Sequence, residues 1–111
     1  MNREEFKHGK LANGKIDYTF RVTASAESYA EGDILETSDG LTYAKAESVN
    51  IAKHYVVCAE DTTLSDAGEL VVYKGGYFNK AIVKVNGAEA TADAINILKT
   101  QNIFVEDVAV Q

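Results

Sequence analysis

From Ile16 to Thr23 the chain alternates. Ile16, Tyr18, Phe20 and Val22 are apolar, and Asp17, Thr19, Arg21 and Thr23 between them are polar. A period of two puts the apolar set on one face and predicts a half-buried strand. Glu31-Gly32-Asp33 predicts a turn. Residues 34–37 and 41–44 then flank Ser38-Asp39-Gly40, and Asp-Gly between two short apolar runs predicts a hairpin. Tyr55-Val56-Val57-Cys58-Ala59 and Leu70-Val71-Val72-Tyr73 are continuous apolar runs of strand length. Gly75-Gly76 separates the second run from residues 77–85, read as one strand with Phe78 and Ile82 among polar residues and closed by Asn86-Gly87. One segment has helical spacing. Ala92, Ile95 and Leu98 recur with Ala94 and Ile97 beside them, Thr91 serves as N-cap, and Asp93 and Lys99 suit the two ends of the dipole. Asn102 suits a left-handed exit, and Ile103-Phe104-Val105 predicts a last strand. Five to seven short strands and one late helix describe a mainly β (α+β) fold. The architecture expected is a small β-barrel or sandwich with the helix packed on it.

Residues 1–15 follow no period. Their only apolar side chains are Met1, Phe6, Leu11 and Ala12, and Asn13-Gly14 reads as a joint. So polar a segment cannot offset roughly 1–2 kcal/mol per residue of ordering cost. The division expected is therefore a flexible N-terminal arm, 1–15, and a β-rich domain, 16–111. The whole chain has 111 residues, 46% hydrophobic and 25% charged, which is the range of one globular domain. Its net charge of −6 is unevenly placed. Arg3, Lys7, Lys10 and Lys15 outweigh Glu4 and Glu5 by two in the arm, leaving −8 on the remainder. An acidic body argues against a nucleic-acid partner, which requires clustered positive charge. The basic arm reads either as a solvated tail or as a segment that binds what the body would not. No apolar run approaches the roughly 18 residues that span a bilayer, so no membrane partner is expected. The first residues hold no apolar stretch of a secretory signal. A single cysteine excludes an internal disulfide framework and points to a reducing compartment.

Chemistry-bearing patterns are sparse. Cys58 sits among Val and Ala, the setting of a small buried hydrophobe rather than of a thiolate. His54 is four residues away, roughly 13 Å along a strand, and His8 lies in the arm, where no catalytic geometry can be held. Gly75-Gly76 lacks the spacing and the Lys-Ser/Thr of a phosphate loop, and no nucleophile elbow is present. Glu60-Asp61 and Glu106-Asp107 are acidic pairs without the spaced ligands of a calcium loop. Two histidines without a ligand motif do not make a zinc site. Neither a cofactor nor an enzymatic activity is expected.

Four segments together resemble the head decoration protein family of tailed bacteriophages. Ala30-Glu31-Gly32-Asp33-Ile34-Leu35 is similar to a glycine turn followed by Val/Ile-Leu. Val56-Val57-Cys58-Ala59-Glu60-Asp61 is similar to G-I-L-A-E-D. Val71-Val72-Tyr73-Lys74-Gly75-Gly76-Tyr77-Phe78-Asn79 is similar to V-V-Y-x-x-G-x-F/V-N, and residues 98–105 to L-R-A-x-G-I-x-V. Order and spacing match over residues 20–108. Asn102 stands where glycine is usual, and Cys58 where a small aliphatic residue is usual. The resemblance implies a homotrimer at local three-fold sites on the outside of an expanded capsid, made in the host bacterial cytoplasm and carried on the virion. It implies that the arm adds a strand to the major capsid protein, by position only, since the arm carries no matching motif. The arm residues so assigned are Arg3, Phe6, Lys7, His8, Lys10, Leu11 and Lys15.

Magnitudes favour three arms over one. Ordering five arm residues costs on the order of 5–10 kcal/mol. Burying Phe6 returns about 2–3 kcal/mol, and each added ladder hydrogen bond about 1 kcal/mol. One arm is marginal, whereas three on a rigid body gain roughly 10²–10⁴ in avidity. Two other readings compete. One is a carbohydrate- or cell-surface-binding β module using Tyr29, Tyr43 and Tyr77 as exposed stacking platforms. The other is a small enzyme acting through Cys58 and His54.

Overall fold

The computed structural model of the chain describes residues 19–107. In chain order its strands are β1 (Thr19–Ala24), β2 (Ser28–Tyr29), β3 (Ile34–Thr37), β4 (Thr42–Lys45), β5 (His54–Cys58), β6 (Thr62–Thr63) and β7 (Gly68–Tyr73). There follow β8 (Gly76–Asn79), β9 (Lys84–Val85), β10 (Ala88–Glu89), helix α1 (Ala92–Lys99) and β11 (Ile103–Glu106). Five of the strands close into a barrel in the order β1-β4-β3-β5-β7. Of the two architectures the sequence allowed, barrel and sandwich, the fold is the barrel, mainly β with one short helix.

Side-chain alternation explains why the central strands read as unbroken apolar runs. Ala24, Leu35, Tyr43, Val56, Cys58, Leu70 and Val72 come from all five barrel strands and form one buried cluster, the lumen. Ile34, Tyr55, Val57 and Tyr73 alternate with them on β3, β5 and β7, and belong to a second cluster with Phe78, Leu98, Ile103 and Val105. The register puts like with like: Leu35 faces Val56 and Cys58 faces Val72, whereas Ile34 faces Val57 and Val57 faces Tyr73. One wall of the barrel is therefore buried on both sides, the arrangement that removes polar positions from a strand. Its outer side is covered by α1 and by the parallel pair of β8 and β11.

The helix has the predicted ends. Thr91 Oγ1 accepts the Ala94 N–H at 3.2 Å, and Asp93 and Lys99 lie in the first and last turns. Its buried residues are Ala94 and Leu98, four apart, with Ile95 half-buried beside them. Ala92, placed on the apolar stripe by spacing, is exposed. Asn102 is left-handed at φ 67°. The β3–β4 hairpin also forms as predicted. Asp39 Oδ1 accepts the Leu41 and Thr42 N–H groups at 2.8 and 3.2 Å and the Thr37 hydroxyl at 3.0 Å. These bonds, the Leu41 N–H first, hold the Asp39 carboxyl below the usual range.

Three expectations are corrected. Residues 77–85 are not one strand. The Asn79 side chain accepts the Ala81 N–H at 2.9 Å, and its carbonyl accepts those of Ile82 and Val83 at 3.0 and 3.2 Å. This Asx-type turn ends β8 and drops Val83 into the core before β9 begins. Several strands are two residues long, so among the described residues eleven strand segments replace the expected five to seven. The first strand keeps its predicted parity, but its burial fades towards the N-terminus. Ala24 is buried, Val22 half-buried and Phe20 exposed, because β4 pairs with β1 only at Thr23 and Ala24. Ile16 and Tyr18 lie outside the described residues, as does the arm.

Two glycine sites set how closely the chain approaches itself. Gly32 has φ +95°, and a Cβ there would stand 2.4 Å from the Ile82 carbonyl oxygen. A Cβ on Gly75 would meet the Asn102 carbonyl at 3.1 Å. At Gly87 φ is +79° with nothing within 4 Å. Gly32→Ala should therefore cost about 2 kcal/mol or more, with the melting temperature falling by roughly 8 °C or more, and Gly87→Ala about 1 kcal/mol. Equal losses for the two variants in thermal unfolding would contradict this account of the 30–33 turn.

Candidate functional site

The segments that carried the sequence resemblance are far apart in the chain and hydrogen-bonded in space. The Cys58 N–H donates to the Asp33 carbonyl at 2.8 Å, and the Gly32 N–H to the Cys58 carbonyl at 2.9 Å. Asp61 Oδ1 accepts the Glu31 N–H at 2.8 Å. The Ala59 N–H donates to the Val71 carbonyl, and the Gly76 N–H to the Asn102 carbonyl, both at 2.9 Å. Gln101 closes the chain of contacts: its Oε1 accepts the Tyr55 N–H at 2.9 Å, and its Nε2 donates to the Lys53 carbonyl at 2.8 Å. The Gly32–Asp33 turn, the end of β5, the β7–β8 connection and the exit from α1 thus form one frame. Sequence reasoning missed Gln101. It lies one residue before the left-handed Asn102, and nothing local marks its amide as a tie between α1 and β5.

Chemistry at this frame is confined. Cys58 is fully buried in the lumen, and its Sγ donates to the Glu60 carbonyl at 3.1 Å. Burial, assisted by the negative charges of Asp33, Asp61 and Glu60 and opposed by the Glu60 hydrogen bond, pushes the thiol up to about 12. A protonated thiol without an opening is not a nucleophile. His54 is exposed at the other end of β5. Glu60, Asp61, Glu106 and Asp107 are exposed, Asp61 being used to hold Glu31. Among the described residues no group of three or more His, Cys, Asp and Glu could hold a metal ion, and no helix is long and apolar enough to cross a membrane.

The three tyrosines proposed as stacking platforms do not form one. Tyr29 and Tyr43 are 3% and 9% exposed. The Tyr29 hydroxyl donates to the Ser25 carbonyl at 2.7 Å, and Tyr43 fills the lumen. Burial raises the Tyr29 hydroxyl above its ordinary value. Only Tyr77 reaches solvent, stacked on Phe104 at 4.8 Å between ring centres. Tyr55 and Tyr73 are buried, as the strand pattern predicts. Tyr18 lies outside the described residues.

One groove of about 260 Å³ opens between residues 47–49, the β9–β10 hairpin and the start of α1. Glu47, Glu89 and Asp93 stand over Val49, Val85 and Ala94 there, with no histidine, lysine or cysteine in the lining. Thr91, also in the lining, spends its hydroxyl on the helix cap. The groove's lining thus offers no cationic anchor.

Arg3, Phe6, Lys7, His8, Lys10, Leu11 and Lys15, the residues assigned to partner binding, lie outside the described residues. No protein-family model matches the chain, and no curated protein matches it.

The state of Cys58 gives a direct test. In the native protein a thiol reagent should leave it unmodified at pH 8 and label it once the chain is unfolded. The thiol titrates near 9.0 in its ordinary state and near 12 when folded, so native protein holds the proton longer. The stabilisation this supplies is complete below about pH 9 and is lost as pH rises towards 12. A denaturant midpoint that falls with alkaline pH should fall less steeply in Cys58→Ala, whose overall stability is lower.

Proposed function

We propose that the chain is a capsid decoration protein: a homotrimer that cements the outside of an expanded phage shell, gripping the major capsid protein through its arms. The observation that carries the reading is the frame just described. The four segments similar to the decoration family are joined to one another by backbone and amide hydrogen bonds. Here the glycine turn, the Ala59-Glu60-Asp61 corner, the double glycine and the left-handed Asn102 meet as one device.

Two further features support the reading. The body is built for rigidity, with one wall packed on both sides, which suits a part that must resist deformation. Charge is polarised between a basic arm and an acidic remainder. The mechanism is kinetic. Three arms held by one trimer raise the barrier to separation of neighbouring capsomers under internal DNA pressure, although each arm alone binds marginally.

Light scattering should give 36.0 kDa for the trimer, three times the chain mass of 12.0 kDa. The protein should co-sediment with expanded shells and not with unexpanded ones. Deleting residues 2–14 should abolish co-sedimentation while the melting temperature stays unchanged. Occupancy should fall as salt rises if the basic arm seats on an acidic rim. Binding retained by the truncated chain would refute the arm as the gripping element.

A further inference from the structure

Capsid cementing gives no task to the groove of about 260 Å³ beside α1. Its floor is apolar. Val49 and Val85 are half-buried against the outer core, and Ala94 is one of the two buried residues of α1. Its margin is acidic, and the acids come from three different elements. Glu47 lies in the segment after β4, Glu89 ends β10 and Asp93 stands in the first turn of α1. All three are exposed, and among the described residues none of them is in an ion pair. The neighbouring lysines are engaged elsewhere. Lys53, within the field of Glu47, donates to Glu36 Oε2 at 2.9 Å. Lys84, opposite Glu89 in the β9–β10 pair, donates to the Ala81 carbonyl at 3.3 Å.

Each wall of the groove is fixed by its own contacts. The buried Tyr55 hydroxyl accepts the Asn50 N–H at 2.7 Å and donates to the Ser48 carbonyl at 3.4 Å, which holds residues 47–49. Val85 pairs with Ala88 across a two-residue turn whose Asn86 and Gly87 are both left-handed, at φ 53° and 79°, the form that suits a tight hairpin. Thr91 caps the helix wall. A trough with set walls loses little entropy on filling. The start of α1 adds roughly half a positive charge, which three carboxylates outweigh. Those carboxylates do not gather round one point, because among the described residues no three His, Cys, Asp or Glu side chains could hold a metal ion. They are spread around an apolar floor instead.

We propose that the groove binds a linear aliphatic polyamine, its methylene spacers lying along Val49, Val85 and Ala94 and its ammonium groups meeting Glu47, Glu89 and Asp93. Charge complementarity sets the sign of the occupant, since the margin holds unpaired carboxylates and the lining holds no cation. The separation of the carboxylates sets its form: a point ion serves one of them, whereas a chain of ammonium groups serves all three. The floor between them sets the spacer, because a hydrated ion gains nothing from valine and a methylene run does. Size agrees. The volume falls just below the roughly 300–1,000 Å³ of pockets for drug-sized ligands, which suits a slender chain rather than a ring system. Every residue used belongs to the body of the protein, so the inference does not depend on the decoration reading.

The test is an amide NMR titration of the full chain with spermidine at low salt. Saturating shifts should centre on residues 47–49 and 85–94, with affinity about tenfold or more above that of propylamine, which has a single ammonium group, and above that of magnesium. Glu47→Gln and Glu89→Gln change exposed positions and should each weaken binding about two- to fivefold. Ala88→Phe fills the trough from the exposed hairpin and leaves every carboxylate in place. It should weaken binding about fivefold or more while thermal melting stays within a few degrees. Glu60→Gln and Asp107→Asn, acids outside the groove, should leave the affinity unchanged. Three results overturn the inference: equal losses for Glu60→Gln and Glu89→Gln, magnesium binding as tightly as spermidine, or full affinity in Ala88→Phe. Tighter binding of a short oligolysine peptide at the same residues also overturns it and assigns the groove to a basic protein segment.

Discussion

The structure depends on a wall that is apolar on both sides. β3, β5 and β7 send alternate side chains into the barrel lumen and into the layer beneath α1, so Val56 and Cys58 face one core while Tyr55 and Val57 face the other. Neither core closes without the other, because four consecutive residues of β5, Tyr55 to Cys58, supply both. In the outer core the Tyr73 and Phe78 rings meet at 5.4 Å, joining the last barrel strand to β8, a contact type that adds about 0.5–1.5 kcal/mol beyond burial. The wall also accounts for the state of Cys58. A cysteine at the lumen face of a doubly buried strand is a packing group, and its raised titration is a consequence of that position.

Around this wall the chain makes its tight approaches without proline. Gly32 brings the turn before β3 against the Ile82 carbonyl, and its own carbonyl accepts the Lys84 N–H at 3.0 Å. Gly75 and Gly76 do the same for the exit from α1, where Asn102 takes the left-handed conformation. Asparagine fits that position because its short polar side chain tolerates a positive φ. The decoration-like motifs lie on these approaches, where backbone geometry restricts the residue type, rather than on a pocket where ligand chemistry would restrict it.

A body of this kind suits a mechanical task. Among the described residues it is held by packing and backbone contacts. Division of labour between a rigid scaffold and surface segments is the usual way in which a fold is put to use.

Local physics was legible before the fold was known. The β3–β4 hairpin followed from Asp39-Gly40, the helix from Thr91, Asp93 and Lys99, and the left-handed exit from Asn102, because each is decided by neighbours within a few residues. The unbroken apolar runs of β5 and β7 likewise gave two strands, although their burial on both faces emerged only from the fold. What sequence pattern could not decide was non-local. Tyr29 and Tyr43 looked like surface aromatics until the Ser25 carbonyl and the lumen claimed them. Residues 77–85 kept the composition of one strand although Asn79 folds back on Ala81, Ile82 and Val83. Barrel closure rests on two parallel pairings of β1 with β4, and the frame rests on Gln101 reaching Tyr55 across 46 residues of chain. Such contacts depend on loop closure and on which faces meet, and no short window of residues encodes either.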